Sequence, residues 1–292
     1  MKQNTAMSPK RAWRLGSWRR ISALGGRALA LLAAVVFVYP LVLMVAVSLL
    51  PPGARGATRG LPLPEEPTLD AYRLAFEWVP LAGSLLNSII VALFAVPLTL
   101  AVASMAGVGL ALVSRERQAA GLTLLLLIAS IPLTAVWIPR FVMFEAIGAV
   151  GTYVPLIAPA LAGGSPLFVL LFFLAVRRIP PELFEAARLE GLGALALWWR
   201  IALPLVRPTT FAVGLLAGAQ VWGNFMEAVL YLNAESQLTA PLMLHTLELM
   251  GATNWSVLMA GAVVVTAPVV LAFVALQHLF AAPEREGTWL GR

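Results

Sequence analysis

The sequence predicts an all-α, polytopic membrane protein with six transmembrane helices, and three observations lead there. Of its 292 residues, 60% are hydrophobic and 12% charged, where a soluble domain carries about 25% charged residues; the mean hydropathy is +0.88. The apolar residues form continuous runs rather than ten-residue alternations, which selects helices over a closed barrel. Those are the two structures that leave no backbone group unpaired in lipid. The basic residues, thirdly, gather between alternate runs.

Six runs are free of acidic and basic side chains and about 20 residues long, the length that crosses the hydrocarbon core. They lie within 28–50, 85–113, 121–139, 146–176, 208–226 and 256–280. The first follows a basic leader, residues 1–27, but it is longer than a signal-peptide core and Leu49-Leu50-Pro51-Pro52 is a poor cleavage site, so a retained span is predicted. Residues 51–80 are rich in proline, glycine and charge and read as an external loop with a short helix near Asp70 to Trp78. The second run contains Pro97, and the fourth contains Pro155, Pro159 and Pro166, where kinks are expected. The fourth run crosses from about Pro155 to Val176 and leaves Glu145 to Tyr153 near the interface.

Of the 20 lysines and arginines, all but Arg55, Arg59, Arg73 and Arg140 lie in the N-terminus, the loops after the second and fourth runs, or the C-terminus. The positive-inside rule puts both termini and residues 177–207 in the cytoplasm. The domain reading is a basic cytoplasmic N-terminus (1–27), a six-span domain (28–280) and a cytoplasmic tail (281–292). With no cysteine, and with His245 and His278 the only histidines, disulfides and thiol or histidine-built metal sites are not expected. No nucleophile–base constellation, Walker glycine loop or nucleic-acid signature is present. The spans offer almost no midplane carboxylate for an ion-coupled carrier.

The most informative segment lies between the fourth and fifth runs. Glu185-Ala186-Ala187, Gly191, Ile201 and Leu203-Pro204 form the pattern EAA-x₃-G-x₉-I-x-L-P. Pro180 and Pro181 suit the start of a helix, where a missing N–H is harmless, and Glu182 and Glu185 complement its dipole. Ala186 and Ala187 leave a thin face for close approach. Gly191 and Gly193 permit a break or left-handed turn, a second short helix follows over 194–200, and Leu203-Pro204 ends it. The expectation is a helix–turn–helix at the cytoplasmic surface.

This pattern resembles the cytoplasmic EAA loop of bacterial ABC-importer permeases. Asn87-Ser88, the 148–153 stretch (G-L-x-x-T-Y-like), Ile179-Pro180 and Gln277 are similar to positions of the maltose-type carbohydrate permeases, specifically the shorter six-span partner. The chain departs from that family in having Glu190-Gly191 for Asp-Gly, glycine-rich 107–112 for an aromatic stretch, and Trp222-Gly223-Asn224 without the proline that usually follows. The resemblance implies a type I ABC importer of two permeases, two cytoplasmic ATPases that consume ATP with Mg, and an external solute-binding protein. This chain would bind no cofactor of its own and would sit in a bacterial or archaeal cytoplasmic membrane. Glu185, Ala186, Ala187, Gly191, Ile201, Leu203 and Pro204 would couple it to the ATPases. The solute would be a carbohydrate, with a polyamine or glycerol phosphate, or less readily an ion-coupled carrier, as the alternatives.

Asn87, Ser88, Trp222 and Asn224 are the candidate solute-path residues, since polar groups within spans face cavities or partners. Glu227, about 28 Å along an unbroken helix from Pro208 at ~1.5 Å per residue, reads as having reached the outer interface. Arg140 and Glu145 read as an outer-surface pair, His278 as interfacial, and most tryptophans, Trp137 and Trp198 among them, as an aromatic belt. Residues 233–254 are expected to dock the binding protein, and the tail is expected to touch the ATPases.

Overall fold

The computed structural model describes residues 9–53, 66–250 and 254–280, with side chains described from 29 to 276 within those ranges. The tail 281–292 and the side chains of residues 1–28, Gln277 and His278 lie outside the described residues. Among the described residues every regular element is helical. A first helix α1 (Pro9–Ser48) is followed by a short helix α2 (Asp70–Trp78), where the sequence placed one, and then by α3 (Leu81–Ala111). Next come α4 (Arg115–Ala129), α5 (Leu133–Ala146), α6 (Val154–Ile157) with a 3₁₀ turn Ala158–Ala162, and α7 (Pro166–Val176).

Four stretches are long and apolar enough to cross a membrane alone: Leu29–Ser48, Leu81–Ala111, Val154–Val176 and Trp255–Leu276. Two bent pairs bring the number to six. In one of them, within the third apolar run, α4 and α5 meet at 86°. Pro132 holds extended angles (φ −65°, ψ 130°) at the break, and its ring disfavours helical angles at Ile131 before it. The fourth run is divided where its prolines suggested.

Helix α3 runs through the centre of the bundle and packs against α7 and against helix α11 (Arg207–Trp222). Gly107 allows the α3–α7 approach. A Cβ there would lie 2.6 Å from the Phe172 Cβ and 2.8 Å from the Phe173 backbone nitrogen, so any side chain would push the helices apart. The last helices are α12 (Phe225–Tyr231), α13 (Ala240–Met250) and α14 (Trp255–Phe280). One buried cluster joins α2, the start of α3, α13 and α14 through Ala71, Leu81, Met243, Leu247 and Val257. Another joins α3, α5, α6 and α12 around fully buried Tyr231, which stacks on Phe141 and meets Phe144 edge-on. A third carries the segment between α7 and α11.

Candidate coupling segment and translocation cavity

That segment opens with α8 (Pro181–Leu189), started by two prolines and carrying Glu182 in its first turn and Arg188 in its last. Its end is capped by the Leu192 N–H to the Ala187 carbonyl and the Gly191 N–H to the Arg188 carbonyl, both 3.0 Å. With Gly191 at φ +84°, this is a Schellman cap, which a left-handed glycine closes without strain. The turn predicted at Gly191 is therefore present; Gly193 keeps ordinary angles and precedes the second helix.

The second helix runs further than expected. It starts as α9 (Ala194–Leu197), widens into a π turn over Trp198–Ala202, and continues as α10 (Leu203–Leu205). Leu203-Pro204 does not end it, contrary to the sequence reading. The wider π turn, in which the Leu203 N–H reaches the Trp198 carbonyl, relieves the crowding a proline ring imposes on the preceding turn. The chain instead turns at Val206, and 194–205 meets α11 at 89°.

Each helix of the segment has one buried side. Phe184, Ala187, Leu197, Ala202 and Val206 are buried, packed with Val176, Phe172 and Phe168 of α7 and with Val213 and Ala217 of α11. Trp198 is thus an anchor rather than a belt residue, its Nε1 donating to the Ser104 hydroxyl at 3.0 Å. Glu185, Ala186, Arg188 and Gly191 face outward with Leu189, 90% exposed, and Trp199, 65% exposed. Of the alanine pair, only Ala186 is on the free face. Ile201 and Leu203 are half-buried against the core and Pro204 is exposed.

Below the segment, Gln118 locks three helix ends together. It donates to the Ala111 and Val113 carbonyls, both at 3.0 Å, and accepts from Arg177 Nη1 at 2.8 Å. Gln118 is buried; as one polar residue in the first turn of α4, between two apolar runs, it gave no sequence signal.

Above the segment, between α3, α5, the 156–168 stretch and α11–α12, lies a cavity of about 350 Å³, within the roughly 300–1,000 Å³ range of small-molecule sites. Thr99, Trp137, Arg140, Gln220, Asn224 and Glu227 supply its polar groups, and Phe168 and Ala217 form part of its wall. Arg140 pairs through Nη1 with Glu227, with side chains 20% and 12% exposed. Its Nη2 donates to the Pro155 carbonyl at 3.3 Å and its guanidinium lies 5.9 Å from the Phe144 ring centroid. Asn224 Nδ2 donates to Glu227 Oε2 at 2.8 Å, and its side-chain oxygen caps α12.

Three sequence readings change here. Glu227 is mostly buried rather than exposed, and the unbroken helix used to count its position is absent: α11 stops at Trp222, the chain breaks at Gly223-Asn224, and α12 restarts. Arg140 pairs with Glu227 rather than with exposed Glu145. Trp137 lines the cavity. Among the proposed path residues, Asn224 is on the cavity wall and the other three are placed elsewhere. Asn87 donates to the Ser236 and Leu238 carbonyls at 2.9 and 3.0 Å, and Ser88 accepts the Ala240 N–H at 2.8 Å. Trp222 donates to the Val265 carbonyl at 3.1 Å beside an apolar groove between α3, α11 and α14.

A bundle of bent spans with an EAA segment on one face and a polar cavity within defines a transporter permease of the binding-protein-dependent class. The family described as binding-protein-dependent transport system inner membrane component matches residues 74–283. The chain belongs to that family and is a multi-pass inner-membrane protein. It is 31% identical over 196 residues, 67% of this chain and 70% of the relative, to the arabinooligosaccharides transport system permease protein of Halalkalibacterium halodurans. It is 28% identical over 215 residues, 74% of this chain and 75% of the relative, to the sulfoquinovosyl glycerol transport system permease protein of Agrobacterium fabrum. Its fold matches a chain in the crystal structure of a bacterial ABC transporter that imports the acidic polysaccharide alginate, with TM-score 0.70, 20% identity, and coverage of 89% of this chain and 97% of that one.

Proposed function

We propose that this chain is one of two permease subunits of a type I ABC importer for a carbohydrate, with both termini cytoplasmic. One of two ATPases docks on the outward face of α8, and the pair, consuming ATP with Mg, drives the cavity between outward- and inward-facing forms. An external binding protein delivers the solute. The sugar-transport names of several relatives support the solute class, and a fold neighbour was solved with an oligosaccharide-bound periplasmic protein. The observation that carries the coupling is one of packing. Phe168 and Ala217 belong both to the buried cluster that holds Phe184 and to the cavity wall. A displacement of α8 reaches the cavity through close-packed side chains, which shift as blocks rather than deform. The capped Gly191 turn and the Trp198–Ser104 bond keep the segment stiff enough to act as a lever.

The test is hydrolysis by the purified four-subunit assembly in lipid, with its binding protein and a solute panel of neutral oligosaccharides, spermidine and glycerol 3-phosphate. Stimulation by an oligosaccharide alone is expected. Stimulation only by spermidine or glycerol 3-phosphate would replace carbohydrate with that solute class.

A further inference from the structure

The cavity contains one cation and one anion, Arg140 and Glu227, and among the described residues no other ionisable side chain lines it. They come from α5 and α12, 87 residues apart, and each is mostly buried. The pair neutralises itself and still has capacity left over. The guanidinium carries five N–H donors, and the contacts to Glu227 and the Pro155 carbonyl use two of its nitrogens. The carboxylate offers about four acceptor sites and meets Arg140 and Asn224. The same few ångströms therefore present spare donors and spare acceptors with no net charge. A hydroxyl group, which donates and accepts at once, suits that surface; an extra charge does not, because like-charge juxtaposition in a poorly hydrated site is costly. The indole of Trp137, on the same wall, adds an apolar face for a pyranose or furanose ring.

Resting on the carbohydrate-importer reading, we propose that the Arg140–Glu227 pair makes this cavity a subsite for an uncharged sugar unit, and that Glu227 is the group that turns acidic sugars away. The relatives make the question a real one, since one is named for arabinooligosaccharides and another for sulfoquinovosyl glycerol, a sulfonated and hence anionic solute. In this chain the guanidinium that would attract an anion is already occupied by a carboxylate of its own.

The chain has no cysteine, so Met226→Cys, on the cavity wall and part-exposed, gives a single labelling site on this subunit. The experiment measures maleimide labelling of this subunit in the assembled permease–ATPase complex, without the binding protein. The probes are neutral trisaccharides (arabinotriose, maltotriose, raffinose), trigalacturonate, spermidine and glycerol 3-phosphate. A neutral trisaccharide should slow labelling at concentrations about tenfold below those at which trigalacturonate does. Glu227→Gln, which keeps the shape and leaves Arg140 uncompensated, should reverse that order. The exchanged pair, Arg140→Glu with Glu227→Arg, restores neutrality and should restore the preference for neutral sugars, which serves as the check should Glu227→Gln fail to assemble. Equal or better protection of the starting protein by trigalacturonate would overturn the charge assignment and leave carbohydrate import standing. So would an unchanged order in Glu227→Gln, or loss of the neutral preference in the exchanged pair. Protection by spermidine or glycerol 3-phosphate, and by no sugar, would overturn the carbohydrate reading and the subsite together.

Discussion

Gly191 and Glu185 carry the most exposed claim at the scale of single residues. Gly191 sits at φ +84° with open space where a Cβ would go. A leucine there would not clash; it would strain the left-handed turn by about 1–2 kcal/mol and change the path of an exposed loop. Gly191→Leu should leave the six spans inserted and stable while the ATPases dissociate on purification. Glu185→Lys should weaken the same joint by reversing a charge on the free face of α8, if that carboxylate accepts charge-assisted bonds from the ATPase. Arg115→Gln and Arg117→Gln, on the same side of the membrane but outside the pattern, should lose less. Co-purification of the ATPase with each variant is the readout, and equal retention across all four would remove the special role of the motif. This turn was legible in the sequence because a Schellman cap is local: one glycine after an amphipathic helix announces it. The Arg140–Glu227 pair was not. Its partners are 87 positions apart, each lies at the edge of an apolar run, and only the packing of α5 against α12 brings them together.

At the scale of elements, residues 233–250 take on a clearer division of labour. The sequence pointed to this stretch as a docking element for the binding protein. The structure fastens its inner side to the membrane domain: Asn87 holds the Ser236 and Leu238 carbonyls, Ser88 holds the Ala240 N–H, and Leu242, Met243 and Leu247 are buried. Replacing 239–244 wholesale would therefore damage the core. The exposed side of α13 carries His245, Glu248, Leu249 and Met250, and we propose that side for docking. His245→Ala with Leu249→Ser should cut binding-protein-stimulated hydrolysis several-fold while expression and basal hydrolysis stay unchanged. Full stimulation in that variant would place docking elsewhere. Two further differences between sequence and structure also belong to elements. Pro132 was visible but gave no sign of an 86° turn, because a proline marks a break without fixing what packs on either side. Pro204 looked like a stop, yet a π turn one step earlier absorbs it.

Across the whole molecule, the apolar runs were enough to outline up to six crossings. They could not reveal that the EAA segment and the cavity share one buried cluster, running from Phe184 through Val176 and Phe172 to Phe168. That continuity is the central claim: the free face of α8 is where ATPase movement enters, and α7 and α11 carry it inward. Ala186 is the position to test, since it lies in the middle of that face and its small side chain admits a close neighbour. The most direct measurement is disulfide or short-linker cross-linking from Ala186→Cys, with no other cysteine in the chain, to cysteines placed in turn over the ATPase surface. The expected result is a specific cross-linked pair that forms in the assembled importer, changes yield between nucleotide-free and ATP-bound states, and blocks transport when closed. No cross-link at any ATPase position, in an assembly that still hydrolyses ATP in response to solute, would contradict the account.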